Sequence, residues 1–227
     1  MDNESDRLFL QSMDLPEIDD KTIKHFNNFK EYMMMYSCAI KEVRTKFEVL
    51  NADLSVTYKR NPIEMIKSRV KSPQSIYEKL KRKQFDVSMK SILENIWDVA
   101  GVRVICSFVD DIYEVAQMLV SQDDIKLIQV KDYIKKPKPN GYRSYHMIIE
   151  VPVFFAKCKQ NIKVEVQLRT IAMDFWASLE HSMKYKKDII DTEYVVKQLK
   201  DCAEVIAATD LKMQEINNMI NIKKDAV

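Results

Sequence analysis

Residues 162–185 read IKVEVQLRTIAMDFWASLEHSMKY, and the hydrophobic period of this stretch changes halfway. In its first half, apolar side chains alternate with polar ones: Val164, Val166 and Leu168 against Glu165, Gln167 and Arg169. This alternation predicts a β-strand with one apolar and one wholly polar face. A solvent-facing edge strand would show the same pattern as a strand that carries a functional site, so the alternation alone leaves both open.

After Thr170 the period becomes helical. We expect Ile171, Phe175 and Leu179 to form one stripe, with Ala172, Trp176 and Met183 beside it, so that the helix packs back on the sheet. The strand would then present Glu165 and Gln167 from a rigid base.

Length and composition indicate a single globular unit. With 227 residues, 46% of them hydrophobic and 31% charged, the chain can build one sizeable core. Only two glycines and six prolines interrupt it, which favours long helices and few tight turns. No glycine-rich phosphate loop or dinucleotide fingerprint is present in the sequence.

Charge and cysteine usage limit the cellular setting. The formal net charge of +2 does not indicate a broad basic surface for DNA. The four cysteines are scattered without a CxxC spacing, there is no apolar N-terminal signal, and no run of about 18 apolar residues predicts a membrane span. We therefore expect a cytoplasmic protein with reduced thiols and no membrane contact.

The two ends of the chain show helical periodicity. Residues 1–20 are acidic and aperiodic, which predicts a flexible segment. Two heptad-like series of apolar residues follow: Phe26, Phe29, Met33, Tyr36, Ile40, Val43, Phe47 and Leu50 near the N-terminus, and Val195, Leu199, Cys202, Ile206, Met213, Ile216 and Ile220 near the C-terminus. These helices either cover the core or each other, or join subunits in a homo-oligomer.

Between the ends, strand-like and helix-like segments alternate, which predicts a mixed sheet covered by helices. Ser72-Pro73 is a typical helix start, and the helix runs to about Lys83. Its inner face carries Ile76 and Leu80, whereas a second face carries a polar stripe of Ser75, Lys79 and Arg82. Such a stripe is either a solvated surface or a phosphate site.

Residues 98–106, DVAGVRVIC, read as a loop that enters a strand. Asp98 lies at the mouth of that strand, and Arg103 faces away from its apolar members Val102, Val104 and Cys106. An amphipathic helix over 110–121 and a strand over 125–130 follow.

The loop 131–146, KDYIKKPKPNGYRSYH, combines five cations with three tyrosines. This composition suits an anionic ligand with a flat ring, such as a nucleotide, although a solvated basic loop whose tyrosines pack on the sheet would read alike. His146 begins the next strand, where a lone histidine is more often a packing residue than a base.

Four segments together resemble one known family: RVKSPQSIYEKLKRK (69–83), DVAGVRVICSF (98–108), VKDYIKKPKPNGYRSYH (130–146) and VEVQLRTIAMDFWASLEHSMKYK (164–186). They are similar to the small alarmone synthetases of the RelA/SpoT homologue superfamily, nearest the RelQ type, over roughly residues 21–220. The resemblance implies an α/β (α+β) fold, with a nucleotidyltransferase-like mixed β-sheet flanked by helices and long N- and C-terminal helices. It also implies transfer of the β,γ-pyrophosphate of ATP to the 3′-hydroxyl of a guanine nucleotide, which gives ppGpp, pppGpp or pGpp plus AMP in the stringent response.

The resemblance also implies a domain organisation. Residues 21–190 would form the synthetase domain, and 191–227 a C-terminal helical extension that assembles a homotetramer. With only three histidines and no His-Asp pair, the chain would lack the alarmone hydrolase domain of long family members.

For the ATP side, the family pattern places the adenine between the guanidinium planes of Arg69 and Arg103. Lys71, Ser75, Lys79 and Arg82 would bind the ATP phosphates. Asp98 and Glu165 would serve Mg²⁺, with Glu165 also orienting or deprotonating the 3′-hydroxyl.

For the guanine nucleotide, the resemblance implies that Tyr142 stacks on the base and that Asp174 lies near its edge. Asp174 also falls in the first turn of the helix after Thr170, where the helix dipole favours an acid whatever the ligand does, so both roles are left open. Four further residues would surround the acceptor: Lys131, Lys138, His146 and Gln167.

Two positions leave substrate preference and regulation open. Residues 129–132 read QVKD, half of the basic RXKD motif of long members, so the preference among GMP, GDP and GTP is not predicted. Met65 and Lys67 replace an aromatic residue and a threonine at the alarmone-binding cleft of a close relative. Regulation by alarmone or by single-stranded RNA is therefore left open.

Two rival functions fit parts of the sequence. A nucleotidyltransferase that moves a nucleoside monophosphate needs a Gly-Ser turn followed by a D-x-D pair, and no such segment occurs in the sequence. A non-catalytic nucleotide- or RNA-binding protein would use the tyrosine-rich loop but would have no use for Asp98 and Glu165.

Overall fold

The structure is a computed structural model that describes residues 20–57, 60–185 and 192–225. The predicted flexible segment lies outside the described residues except for Asp20, where the first helix begins. The predicted boundary at residues 190 and 191 also lies outside them.

Six helices and five strands make up the described chain. In sequence order they are α1 (Asp20–Thr57), β1 (Ile63–Val70), α2 (Pro73–Arg82), α3 (Met89–Asn95), β2 (Ala100–Cys106), α4 (Val109–Val120), β3 (Lys126–Asp132), β4 (Tyr145–Phe154), β5 (Lys159–Thr170), α5 (Ile171–Tyr185) and α6 (Thr192–Asp225).

The strands form one mixed sheet in the order β1-β2-β5-β4-β3. Only β2 and β5 run parallel, and the other neighbouring pairs are antiparallel. The predicted mixed sheet flanked by helices is therefore confirmed. Strand β1 and helix α3 were not predicted, because β1 is an edge strand whose side chains are mostly exposed and α3 has only seven residues.

One face of the sheet carries the main core. Val102, Val104, Val164, Val166 and Leu168 point into it and are buried. Helix α1 covers this face with four members of the predicted N-terminal series, Tyr36, Ile40, Val43 and Phe47, and with Ala39, which was not predicted. Burial of a large apolar side chain contributes about 1.5–3 kcal/mol, so this stripe holds the helix on the sheet. The alternative in which the N-terminal helix covers the core is therefore the one observed.

Helix α5 packs only partly as predicted: Trp176 of the predicted apolar set is buried, but the stripe of Ile171, Phe175 and Leu179 faces outward. Ile171, Phe175, Leu179 and Met183 are 46–59% exposed, whereas Met173, Trp176 and Ala177 are buried. The indole nitrogen of Trp176 donates to the carbonyl of Leu199 in α6, 2.9 Å away. A buried tryptophan needs both apolar contacts and a partner for its N–H, and α6 supplies both. This requirement, which apolar spacing does not express, decides the orientation of the helix.

Helix α6 packs along α5 and also touches α4. Leu199 and Ala203 are buried against α5, and the side chain of Gln214 accepts a hydrogen bond from the backbone of Asp110 at the start of α4. The rest of the predicted C-terminal series is mostly exposed, including Met213, Ile216 and Ile220. None of the helices in the described part of the chain is long and apolar enough to cross a membrane.

Candidate active site

The face of the sheet opposite the main core carries two rows of residues that run across the sheet. Each of the five strands contributes one residue to each row. The strand register aligns the first row as Lys67, Arg103, Gln167, His146 and Lys131. The second row is Arg69, Gly101, Glu165, Ile148 and Gln129. The polar face of β5 therefore lies at the centre of a charged surface. Because β5 is the central strand, the structure excludes the edge strand, one of the two alternatives that the alternation left open.

Gly101 leaves a gap in the second row. A β-carbon built there would meet only the carbonyl oxygen of Arg69, at 3.7 Å, so the space above it is open. A cavity of about 210 Å³ fills this gap, and Arg69, Arg103, Asp98 and Glu165 are among its lining residues. The cavity thus lies above Gly101, and the two arginines predicted to stack on the adenine ring border it.

A second cavity, of about 250 Å³, lies on the other side of the same carboxylates. Its lining includes three lysines, Lys79, Lys83 and Lys131, together with Asp98 and Glu165. Because Asp98 and Glu165 line both cavities, a group in one cavity can meet a group in the other beside these two acids.

Asp98 is held by two predicted phosphate-binding lysines. Its Oδ2 lies 2.8 Å from Nζ of Lys71 and 2.7 Å from Nζ of Lys79. Burial by itself would raise the pKa of Asp98, but the hydrogen bonds from the two lysines outweigh it and hold the pKa below its usual range. Asp98 is therefore ionised at neutral pH.

Glu165 is ionised as well. Its Oε2 accepts a hydrogen bond of 2.7 Å from the side-chain amide of Gln167, and its Oε1 lies 3.5 Å from Nδ1 of His146. Burial would raise the pKa of Glu165, yet the contacts with His146 and Gln167 lower it overall. The strand thus presents a charged and oriented carboxylate.

The two carboxylates fit a divalent cation. Oδ1 of Asp98 is buried and has no hydrogen-bond partner among the described residues, so it is available as a ligand. No group of three or more His, Cys, Asp or Glu side chains in the described part of the chain is arranged as a metal site. Mg²⁺ commonly takes only one or two carboxylates and completes its shell with substrate phosphates and water, which agrees with this donor set.

Helix α2 begins as predicted and carries the polar stripe. The side chain of Ser72 accepts a hydrogen bond from the backbone nitrogen of Ser75 and caps the helix, while Ile76 and Leu80 are buried beneath it. Of the stripe, Lys79 reaches Asp98, whereas Ser75 and Arg82 lie on the same helix outside both cavities.

Among the residues predicted to bind the guanine nucleotide, Tyr142 is the centre of a cluster. Nζ of Lys138 lies 4.5 Å from the centre of its ring, and its hydroxyl is 2.9 Å from Nε2 of His146. The same hydroxyl accepts a hydrogen bond of 2.6 Å from Nη2 of Arg169. Lys138, Tyr142, His146 and Gln167 are thus brought together as predicted, and Lys131 is paired with His146 in the strand register.

The protonation of this cluster follows from its donors. Burial lowers the pKa of His146, so its ring is neutral at physiological pH. Arg169 can only donate, so the Tyr142 oxygen accepts from it and gives its own hydrogen to Nε2 of His146. The ring hydrogen of His146 is then on Nδ1, facing Glu165.

Arg169 and Asp174 connect the two sides, and Arg169 was not among the predicted site residues. One carboxylate oxygen of Asp174 accepts hydrogen bonds from Nη1 of Arg103, at 3.2 Å, and from Nη1 of Arg169, at 3.1 Å. Its other oxygen accepts a hydrogen bond from Nζ of Lys67, at 3.2 Å. The sequence did contain one signal, because Arg169 continues the polar alternation of Glu165 and Gln167. Arg169 is buried at the end of β5, and a buried charge needs a partner of opposite charge. Asp174 is that partner.

Comparison with known proteins identifies the family. Residues 68–190, more than half of the chain, match the family described as "Region found in RelA / SpoT proteins". The chain belongs to the RelA/SpoT family. Every predicted site residue lies inside the matched region, whereas α1 and the described part of α6 lie outside it.

Relatives of this RelA/SpoT protein agree over nearly the whole chain. It is 42% identical to the GTP pyrophosphokinase YwaC of Bacillus subtilis over 92% of this chain and 99% of that protein. The crystal structure of small alarmone synthetase 2 from Bacillus subtilis covers 85% of this chain and 99% of its own, with a TM-score of 0.76 at 44% identity. Small alarmone synthetase 1 from the same organism, solved bound to its product pppGpp, gives a TM-score of 0.78 at 34% identity and covers 85% and 98%. The predicted family and fold are therefore confirmed.

Proposed function

We propose that this protein is a GTP pyrophosphokinase that synthesises alarmone. It transfers the β,γ-pyrophosphate of ATP to the 3′-hydroxyl of GDP, GTP or GMP and gives ppGpp, pppGpp or pGpp plus AMP. The observation that carries the proposal is the meeting of two cavities at Asp98 and Glu165, one bordered by two arginines and the other by three lysines. The pyrophosphokinase name of its relative and the pppGpp bound in its structural neighbour support the same reaction.

ATP would occupy the cavity floored by Gly101. Arg69 and Arg103 border this cavity, and their guanidinium planes can stack on the two faces of adenine. Lys71 and Lys79 would turn from Asp98 to the phosphates, with Ser75 and Arg82 of α2 available to the outer phosphate. The arriving phosphates would replace the carboxylate as the partners of these lysines, so no lysine charge is left unpaired.

Asp98 and Glu165 would hold Mg²⁺. The cation supplies charge neutralisation for the transferred phosphates and a fixed template for their alignment. Once the lysines have moved to the phosphates, both oxygens of Asp98 become available for this role.

Glu165 would orient the acceptor hydroxyl. The 3′-oxygen attacks the β-phosphorus of ATP, the bond from that phosphorus to the α,β-bridging oxygen breaks, and AMP leaves. The hydroxyl proton passes to Glu165 as the new bond forms. A carboxylate with a lowered pKa is a weak base, so its main contribution would be to align the hydroxyl and to keep its own negative charge beside the cation.

The guanine nucleotide would bind at the Tyr142 cluster. The ring of Tyr142 would stack on the base once Lys138, which lies over this ring, turns to the nucleotide and gives it a charged partner. Neutral His146 and Gln167 would place the ribose beside Glu165, and Lys131 in the second cavity would receive phosphate. Asp174 near the base edge stays a prediction, because both its oxygens already accept from cations.

We further propose a homotetramer, assembled through the C-terminal helices. The support is the exposed apolar stripe of α5, Ile171, Phe175, Leu179 and Met183, together with exposed Met213, Ile216, Met219 and Ile220 on α6. Light scattering should give about four times the monomer mass of 26.7 kDa. A monomer at every concentration would refute this assembly.

The reaction can be tested directly. Purified protein is incubated with ATP, Mg²⁺ and GMP, GDP or GTP in turn, and the products are separated by anion-exchange chromatography. We expect AMP release in equal amount with a nucleotide that carries a 3′-pyrophosphate. AMP attached to an acceptor would indicate the rival nucleotidyltransferase, and binding without any AMP release would indicate a non-catalytic nucleotide-binding protein. We propose that the reaction takes place in the cytoplasm. Regulation by alarmone or by single-stranded RNA stays a separate prediction.

A further inference from the structure

The loop that carries Tyr142 rests on the C-terminal helix. We propose that α6 positions this loop, so that Gly141, Arg143 and Ala203 are positioning residues for the guanine nucleotide. The inference rests on the proposed role of Tyr142 in binding the acceptor. It assigns to the C-terminal helix a part in acceptor binding, in addition to any part in assembly.

The first contact is a close approach of backbone to helix. Gly141 has a φ of 87°, and a β-carbon there would lie 2.5 Å from Cβ of Ala203 and 3.3 Å from Cα of Lys200. Only glycine fits both this backbone conformation and this distance. Within the loop, the backbone nitrogen of Gly141 donates to the carbonyl of Lys138, and that of Lys138 to the carbonyl of Tyr142. Hydrogen bonds within the turn therefore fix its shape, and its backbone lies in close contact with α6.

The second contact is a hydrogen bond on the other side of Tyr142. Nη1 of Arg143 donates to the carbonyl oxygen of Ala203, at 3.1 Å, and to that of Gly141, at 3.2 Å. Both chain neighbours of Tyr142 are thus attached to the same turn of α6. Both bonds come from the same guanidinium nitrogen, whose two hydrogens bridge the loop and the helix.

A third contact joins the ring itself to this helix through α5. The rings of Tyr142 and Trp176 lie 6.5 Å apart, and Trp176 donates to the carbonyl of Leu199, one turn before Ala203. Asn140, in the same loop, donates to Glu180 of α5 at 2.9 Å. A shift of α6 would therefore move Tyr142 by its backbone and by its ring.

In the part of the chain that the structure describes, no hydrogen bond or ion pair joins Arg69 or Arg103 to α6. The two arginines project from β1 and β2, which pair with each other, and Arg103 is bonded to Asp174 of α5. A disturbance of the contact between Gly141 and Ala203 should therefore act on the guanine nucleotide and spare ATP. A merely structural role of α6 would weaken both substrates together or lower the melting temperature alone.

The main test is Ala203→Leu, which forces the loop away from the helix. We expect the KM for the guanine nucleotide to rise at least about tenfold, the scale of moderate overpacking, while the KM for ATP changes less than about twofold. Ala208→Leu is the matched control, because Ala208 is exposed on the same helix. It should leave both KM values unchanged.

The second variant, Arg143→Gln, removes the hydrogen bonds without adding volume. It tests whether α6 positions the loop if Ala203→Leu does not fold. We expect a rise in the KM for the guanine nucleotide of at least about fivefold, within the range for a hydrogen bond from a charged group. Calorimetric Kd values for GDP without ATP should change in parallel in both variants.

Two results would overturn the inference: equal rises in both KM values, or an unchanged GDP Kd in both folded variants. A wild-type protein that forms no pyrophosphorylated product would instead refute the proposed function. The GDP Kd comparison would still test the attachment of the loop, because it requires binding and no transfer.

Discussion

The two sides of the site are built differently. On the side proposed for ATP, cations lie in or beside an open cavity, and Asp98 forms ion pairs with both Lys71 and Lys79. On the acceptor side, Tyr142, His146, Gln167 and Arg169 are already joined to one another by hydrogen bonds of 2.6–3.1 Å. One side is arranged for a flexible polyanion and the other for a ring and a hydroxyl.

The substrates proposed for the two sides would account for this difference. A triphosphate can be held by several cations on long side chains, because Coulomb attraction tolerates small changes of distance. The attacking hydroxyl must instead lie within a few tenths of an ångström of its path, and that accuracy requires pre-formed hydrogen bonds. We therefore expect substitutions on the acceptor side to act through geometry and those on the ATP side through affinity.

The largest effect should come from Glu165→Gln, at the junction of the two sides. The amide has the same shape, but it has no negative charge to bind a cation and cannot accept the hydroxyl proton. Turnover should therefore fall more than about 10²-fold. AMP release at saturating substrates measures this loss. Glu150→Gln on the neighbouring strand is the control, since Glu150 lines neither cavity of the site. Near-normal turnover of Glu165→Gln would show that the junction lies elsewhere.

Asp174→Ala should sharpen the comparison, because Asp174 contacts cations of both sides. If its carboxylate reads the guanine edge as predicted, the preference for GDP over IDP should weaken by about 1.5–3 kcal/mol, or roughly 10–150-fold in kcat/KM. The measurement is kcat/KM for both nucleotides in both proteins. An unchanged ratio with a raised KM for ATP would assign Asp174 to Arg103 instead.

A smaller effect is expected from Arg103→Lys, which keeps the charge and removes the planar group. The KM for ATP should rise about three- to thirtyfold, the range that cation–π contacts give between exposed and desolvated sites. The KM for the guanine nucleotide should change much less. Parallel rises in both constants would mean that Arg103 stabilises the site as a whole.

The smallest effect concerns the attachment of α6 to the sheet. Asp210 of α6 accepts a hydrogen bond from the hydroxyl of Thr170, and burial raises the pKa of Asp210 despite that bond. Because the folded state binds this proton more tightly than the unfolded state, stability is lost as the pH rises through the raised pKa. Asp210→Asn should therefore raise the Tm at pH 7.5 by about 2 °C, within the scale for this chain length, and by less at pH 4.5.

Asp201→Asn, an exposed change on the same helix, is the matched control for that measurement. Calorimetric scans at the two pH values would contradict the assignment if Asp210→Asn lowered the Tm at pH 7.5.

Much of the site was predictable because strand alternation is a local property. Glu165 and Gln167 face the site since their neighbours Val164, Val166 and Leu168 are held in the core. The cap at Ser72 and the buried Ile76 and Leu80 of α2 were predictable for the same reason. Local spacing decides these features, and no distant partner changes them.

Two features were not predictable, because each depends on a partner far along the chain. The buried face of α5 is set by the hydrogen bond from Trp176 to the carbonyl of Leu199, 23 residues later. The ion pairs of Arg103 and Arg169 with Asp174 arise from three separate elements that meet only in the folded sheet. Spacing within one helix or strand carries no information about either contact.

The exposed stripe of Ile171, Phe175, Leu179 and Met183 has a consequence for how the protein responds to dilution. If these side chains pair across subunits as proposed, association and folding draw on the same apolar surface, and the melting temperature must rise with protein concentration. A dilute sample would then lose activity on warming earlier than a concentrated one of identical composition. The heat resistance of such an enzyme would be a property of its abundance in the cell as much as of its sequence.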